Sequence, residues 1–221
     1  VRFTGASSHG PRVIEDMTWG LDHNRFDAIL VGANFLTHGL EPVLQKARAK
    51  GVATIAMKTM TLYTSDLNIR ALQGQHTNAR QACLKWVLAS GLFDTLIIRM
   101  ANYDAVAEYL AVSGTTTLAA RDRARLDLIA EHISRDYCRP GCDACLEACP
   151  RGVPVADILR YRMYFENYRE EKLALAKYQR LPAAQRAASC ESCPAPCERA
   201  CPYGVQVRRR LAGARQMLSM A

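Results

Sequence analysis

The sequence lacks several features that would assign it to a common class. It has no apolar run of the ~18–20 residues that a membrane-spanning helix needs, so we expect no membrane span. We expect no secretory signal peptide, and no glycine-rich dinucleotide fingerprint follows its apolar segments. Its five histidines form no metal-ligand spacing. With 49% hydrophobic and 23% charged residues, the chain is predicted to be folded, and we expect it in the cytoplasm.

Cysteine is the residue that the sequence has in excess. Eight of the nine cysteines lie between positions 138 and 201, and only Cys83 lies elsewhere. Cys83 belongs to an apolar helical segment and is expected to be buried as a small hydrophobic residue. The distribution divides the chain into a cysteine-poor part and a cysteine-rich part. We predict domains at 1–135 and 136–221.

The positive charge is concentrated in the cysteine-rich part. The formal net charge is +8, and residues 138–221 hold 14 basic and 8 acidic residues. Arg208–Arg210 is the only tight basic run. Because the remaining charge is scattered, no nucleic-acid partner is expected. The run itself is expected to be a solvated helix face, with docking of an acidic partner as the alternative.

The first part alternates between apolar strand-like and helical segments. Strands are predicted at 1–8, 26–35, 52–60 and 93–100, and helices at 11–21, 40–50, 78–90, 103–112 and 116–135. This alternation predicts an α/β fold with a parallel sheet whose faces are covered. Four such units are half of a (β/α)8 barrel, the TIM barrel, and a small open α/β sheet is the alternative.

Four segments of this part resemble one family. Residues 1–9 (VRFTGASSH), 26–36 (FDAILVGANFL), 46–60 (KARAKGVATIAMKTM) and 84–110 (LKWVLASGLFDTLIIRMANYDAVAEYL) are similar to the fifth to eighth βα units of aldo-keto reductases. The resemblance extends over residues 1–112. It implies a partial barrel from an enzyme that reduces carbonyls with a nicotinamide cofactor, usually NADPH.

The resemblance also implies roles for particular residues. The family's catalytic residues come from its first four units, so none is carried over to this chain. Ser7 and Ser8 match the Ser-Asn pair that holds the nicotinamide carboxamide, with Ser8 in place of Asn. Leu30 lies where many members have Gln.

Three further residues correspond to the family's cofactor-binding edge. Lys58, Arg99 and Asn102 follow the last two strands, where barrels often bind phosphate groups, and could contact a cofactor phosphate. Arg99 replaces a usual Gly, and Tyr109 replaces a usual Asn near the adenine.

The cysteines of the second part form two similar quartets that end in Cys-Pro. The first quartet is Cys138, Cys142, Cys145 and Cys149, and the second is Cys190, Cys193, Cys197 and Cys201. The quartets are offset by 51–52 residues at every cysteine. The match continues into Gly-Val-x-Val after each quartet, so the region is an internal duplication with two equivalent sites.

Three kinds of site compete for these cysteines. Disulfides belong mainly to small secreted domains, and structural zinc usually takes two separated pairs of ligands. Two [4Fe–4S] clusters fit the spacing best, because three close cysteines and a Cys-Pro resemble the bacterial ferredoxin run. In that run the fourth cysteine binds the other cluster. This assigns Cys138, Cys142, Cys145 and Cys201 to one cluster, and Cys190, Cys193, Cys197 and Cys149 to the other.

The segment between the quartets predicts a helical domain. Residues 155–178 are predicted to form one long helix, and residues 205–219 another. The region resembles the α-helical ferredoxin domains of respiratory reductases, and also the iron–sulfur extension of some bacterial aldo-keto reductases. An aromatic set on the long helix is expected to be core, or alternatively a docking face: Tyr161, Tyr164, Phe165 and Tyr168.

These observations predict an iron–sulfur oxidoreductase that passes electrons through two [4Fe–4S] clusters. The resemblance implies that the complete form reduces a carbonyl or a related small molecule with NAD(P)H, and a redox partner protein would exchange the electrons. The alternative is a non-catalytic ferredoxin-like module. A third hypothesis is that the clusters are structural staples. A half-barrel has two open sheet edges, so we expect a longer protein or a barrel closed by two copies.

Overall fold

The structure, a computed structural model, describes most of the chain. The described residues are 1–10, 12–60, 79–133, 135–139, 141–187 and 190–219. They form two compact units, the first made of residues up to 132 and the second of residues from 133 onward. Among the described helices, none has both the length and the apolar character that crossing a membrane requires.

The first unit contains a four-stranded parallel sheet, as the sequence predicts. The strands are β1 (Gly5–Ser8), β2 (Ala28–Gly32), β3 (Ala53–Met57) and β4 (Thr95–Leu96), and they lie side by side in chain order. The register pairs Ser7 with Leu30 and Leu30 with Ile55. The fourth strand is only two residues long, so the prediction of a strand over 93–100 is too long.

Helices separate the strands at nearly the predicted positions. They are α1 (Val13–Asp22), α2 (Glu41–Ala49), α3 (Ala79–Ala89), α4 (Tyr103–Leu110) and α5 (Ala120–Ile133). Residues 11 and 78, at the starts of two predicted helices, lie outside the described residues. Right-handed connections between strands in sequential order bring the connecting helices to the same face of the sheet.

The core of the first unit lies on that face. Ile29, Val31 and Ala56 point toward the helices and are completely buried, packed with Met17 and Leu44 of α1 and α2. On the opposite face, Leu30, Ile55 and Met57 are only half-buried. The expectation that both faces are covered is therefore wrong for the part of the chain that the structure describes.

The second unit is helical over its described residues. Its helices are α6 (Val155–Glu166), α7 (Glu171–Gln179), α8 (Pro196–Arg199) and α9 (Val207–Leu218), with a 3-10 turn at Ala183–Gln185. Their apolar residues form one core with the cysteines at its edge. Tyr178 is fully buried in it, and its hydroxyl donates a hydrogen bond to the Arg186 carbonyl oxygen.

The prediction of one long helix over 155–178 is wrong. The helix ends at Glu166, and the chain starts a new one at Glu171. Between them, Arg169 has a φ of +55°, in the left-handed region that a helix cannot contain. The Glu170 N–H donates to the Tyr164 carbonyl oxygen, which closes the turn that joins the two helices.

Candidate metal centre

The two Cys-Pro segments have the same local backbone. After Cys149, the Gly152 N–H donates to the Cys149 carbonyl oxygen, and the Gly204 N–H does the same to Cys201. Both glycines have positive φ, +59° and +64°, a conformation that glycine adopts without strain. A helix starts three residues later in each repeat. The duplication seen in the sequence is thus a duplication of structure.

Four cysteines and several apolar side chains surround the first cavity. The cysteines come from both motifs and are Cys138, Cys142, Cys145 and Cys201. Most other lining residues are apolar, including Leu159 and Val207. The chain supplies three close thiols from one motif and the fourth from the Cys-Pro of the other.

The second cavity has the reciprocal composition. Its cysteines are Cys190, Cys193, Cys197 and Cys149. Leu211 occupies the position that Leu159 has in the first cavity, 52 residues earlier in the chain. The structure thus brings the eight predicted cysteines together in the two groups that the sequence assigns, with the fourth cysteine exchanged between the motifs.

Val155 is the residue that connects the two cavities. It is 1% exposed and lines both of them, at the start of α6. A single apolar side chain therefore forms a wall common to the two sites. Groups bound in the two cavities would be near neighbours inside a water-poor core.

Burial and crowding affect the thiols of both cavities. Loss of solvent raises the pKa of Cys138 to about 11 and that of Cys145 to about 12, with neighbouring thiols adding to the increase. The same causes raise the pKa of Cys190 to about 11. Thiols with such pKa values are protonated at neutral pH unless a bound cation stabilises the thiolate, so metal loading would release protons.

The donor set fits an iron–sulfur group. All nine cysteines lie in the described residues and are free thiols. Within the described residues, no three His, Cys, Asp or Glu side chains are gathered so as to hold a metal ion. The eight cysteines of the two motifs instead line the two cavities, with four cysteines around each. Thiolates are the ligands that iron–sulfur clusters take, one per iron, so four cysteines around a cavity match a four-iron cluster.

The aromatic set beside the second unit's core packs as expected for core residues. Tyr161, Tyr164 and Phe165 are partly buried against the apolar cluster of this unit. Tyr168 stacks on Tyr164 with ring centroids 6.0 Å apart, and burial raises the pKa of Tyr168 to about 12. These contacts favour a packing role for the set over a docking role.

The basic run at the start of α9 is exposed at its first two residues. Arg208 and Arg209 are exposed, and the Arg208 Nη1 donates to the Cys193 carbonyl oxygen at 3.4 Å. Arg210 is half-buried and forms an ion pair of 2.6 Å with Asp136. The run is a solvated face that also ties the helix to neighbouring loops.

In the first unit, part of the expected cofactor set lies at one edge of the sheet. Ser8 ends β1, and its Oγ accepts a hydrogen bond from the Gly10 N–H at 3.4 Å. Lys58 follows β3. A Cβ placed on Gly32 would lie 3.9 Å from Lys58 Cδ and 3.1 Å from His9 Cβ. These residues therefore lie at the carboxyl ends of neighbouring parallel strands. Ser7 is exposed, on the same face as Leu30.

The remaining two expected cofactor residues, Arg99 and Asn102, lie between β4 and α4. Asn102 is the N-cap of α4, and its side-chain oxygen accepts from the Ala105 N–H at 2.8 Å. Arg99 is exposed between β4 and α4. Asn102 thus has a structural role that needs no cofactor. Cys83, outside both sets, is 1% exposed as expected, and its burial raises its pKa to about 12.

Two residues of the cavities were not singled out from the sequence. Val155 lines both cavities, and Arg139 lines the first. Both residues lie close to a cysteine motif in the sequence. Their contact with a cavity follows only from the fold, in which each motif contributes its fourth cysteine to the other cavity.

Comparison of the chain with family models, with curated proteins and with solved structures finds no match.

Proposed function

We propose that this chain is an iron–sulfur oxidoreductase whose second unit holds two [4Fe–4S] clusters. One observation carries the proposal. Each cavity is lined by three close cysteines of one motif and the last cysteine of the other, which is the exchange that a two-cluster ferredoxin uses. When bound, such clusters accept and release single electrons.

The residues of the second unit have definite tasks in this function. The eight cysteines supply the thiolates, and the apolar side chains keep water away, which influences the potential of any centre bound there. Val155 contributes its side chain to the linings of both sites. The two Cys-Pro-x-Gly turns direct each fourth cysteine to the opposite site.

The first unit is proposed to be a partial aldo-keto-reductase-like barrel. The single-faced helix packing and the sequential parallel strands support this, as does the approach of Lys58 and His9 over Gly32. In a complete barrel, this edge would bind NAD(P)H and a carbonyl substrate. The second candidate is a non-catalytic electron-transfer module, favoured by the capping role of Asn102. Binding of NADPH, measured by fluorescence titration, separates the two.

Ligand variants test the cluster proposal. Cys201→Ser belongs to the second motif, but it should remove or alter the cluster held by the first motif and lower the iron content from about eight toward about four per chain. Cys83→Ala is the matched control, since Cys83 is buried outside both cavities, and it should keep all the iron. Unchanged iron and an unchanged EPR spectrum in Cys201→Ser would contradict the proposal.

A further inference from the structure

An arginine is buried at one of the two cavities. Arg139 directly follows Cys138, lines the cavity of Cys138 and is 6% exposed. Its Nη1 donates to the Tyr137 carbonyl oxygen at 2.6 Å. Its guanidinium carbon lies 4.3 Å from the ring centroid of Tyr203. A planar cation stacked on an aromatic ring is held firmly in one place.

Among the described residues that line the other cavity, none is a counterpart of this arginine. The equivalent position in the second motif, 52 residues later, is Glu191, which is exposed and forms an ion pair of 3.5 Å with Arg215. The arginines that line the second cavity, Arg151 and Arg208, are both exposed. In the described lining of the two cavities, the duplication therefore repeats the thiols, whereas a buried arginine lines the first cavity alone.

Burial decides how strongly each charge acts. An exposed guanidinium is screened by water and salt, whereas a buried one interacts through a medium of lower dielectric constant. Reduction adds one negative charge to an iron–sulfur site, so a nearby buried cation stabilises the reduced state. We propose that Arg139 makes the two sites unequal, so that the site of Cys138, Cys142, Cys145 and Cys201 takes the first electron. This inference rests on the proposed function.

A redox titration of variants tests the role of Arg139. The protein is purified without oxygen, its iron and sulfide are measured, and it is reduced stepwise with dithionite, which supplies the electrons, while EPR is recorded. Arg139→Gln should lower the higher midpoint potential by about 59 mV, a tenfold change in a one-electron equilibrium. Arg139→Lys keeps the charge, so its higher midpoint potential should stay close to that of the wild type. Arg208→Gln should have a much smaller effect.

The outcomes separate the two proposals. Wild-type protein without iron and sulfide overturns the proposed function, and the inference with it. Full iron content with an unshifted potential in Arg139→Gln, or an equal shift in Arg208→Gln, overturns the inference alone.

A second pair of variants decides the order of reduction without changing Arg139. Cys142 and Cys193 are equivalent and both half-buried, one in each cavity. Cys142→Ser should alter or abolish the EPR signal that appears at the higher potential, and Cys193→Ser the signal at the lower potential. The reverse assignment overturns the inference, even where Arg139→Gln does not assemble its clusters.

Discussion

Val155 is the residue at which the two proposed cluster sites meet. The equivalent valine of the other repeat, Val207, is 2% exposed and lines only the cavity of Cys138. Truncation of either valine removes two buried methyl groups and should lower the free energy of unfolding by about 2 kcal/mol. The two substitutions should therefore lower the free energy of unfolding by similar amounts, although Val155 lines both cavities and Val207 lines one.

The pair should differ in its spectroscopic effect. Val155→Ala should perturb the EPR signals of both reduced clusters, because the side chain lies against both sites. Val207→Ala should perturb only one. If Val155→Ala changes a single signal, Val155 does not separate the sites as described.

Asp94 forms a stabilising interaction in the first unit that depends on pH. The Thr54 N–H donates to Asp94 Oδ2 at 2.7 Å, and the Arg48 Nη1 donates to Oδ1 at 3.1 Å. The hydrogen bond from Thr54 lowers the pKa of Asp94 most, assisted by Arg48. Since the folded pKa lies below the unfolded one, the stabilisation is present above the ordinary Asp range of ~3.9. It is lost as the pH falls through the folded pKa.

Asp94→Asn should therefore lower the free energy of unfolding at pH 7 by about 1 kcal/mol, a modest value because the carboxylate is half exposed. The difference from wild type should shrink below pH 4, as measured by denaturant unfolding across pH. Asp127→Asn, at an exposed position of α5, is the control and should change stability by less than ~0.5 kcal/mol. A difference that persists at low pH would falsify this account.

At this scale, the sequence identified the thiols but not their neighbours. Cysteine spacing determines which thiols can converge, so the eight cysteines and their two groups could be predicted from the motifs. Arg139 and Val155 have their roles through contacts with residues of the other repeat or the other cavity. Such contacts depend on packing that no local pattern records. Asn102 was expected at a cofactor phosphate and is a helix cap in the structure.

At the scale of elements, the break between α6 and α7 has an identifiable residue. Arg169 lies in the left-handed region at φ +55°, where a side chain costs ~1–2 kcal/mol relative to glycine. Neither glycine nor proline occurs between residues 155 and 178, so the sequence carries no local signal for this turn and predicted one helix. Apolar spacing reports which face is buried, whereas the turn depends on a backbone conformation that Arg rarely adopts.

Arg169→Gly should therefore raise the free energy of unfolding, by up to ~1 kcal/mol once the entropy of the added glycine is counted. Arg180→Gly is the control. Arg180 is the C-cap of α7 and has ordinary right-handed backbone at φ −73°, so glycine there should lower the free energy of unfolding. Denaturant unfolding of the second unit compares the two. A loss of stability in Arg169→Gly would contradict the assigned strain.

At the scale of the whole molecule, composition was an effective guide to the division of the chain. The cysteine-rich part begins near the point where the structure changes from the sheet to the helical unit. The sequence also indicated the parallel sheet, because its apolar strands and periodic helices alternate. It did not indicate that one sheet face would be left half-buried, since apolar strands look the same whichever face is covered.

We propose above that the helical unit is a two-cluster electron-transfer domain. The most direct test is to purify the chain without oxygen and measure iron, acid-labile sulfide and the EPR spectrum before and after dithionite. We expect about eight irons and about eight sulfides per chain, and a reduced spectrum in which the two clusters interact. Zinc in place of iron, or iron without sulfide, would contradict it.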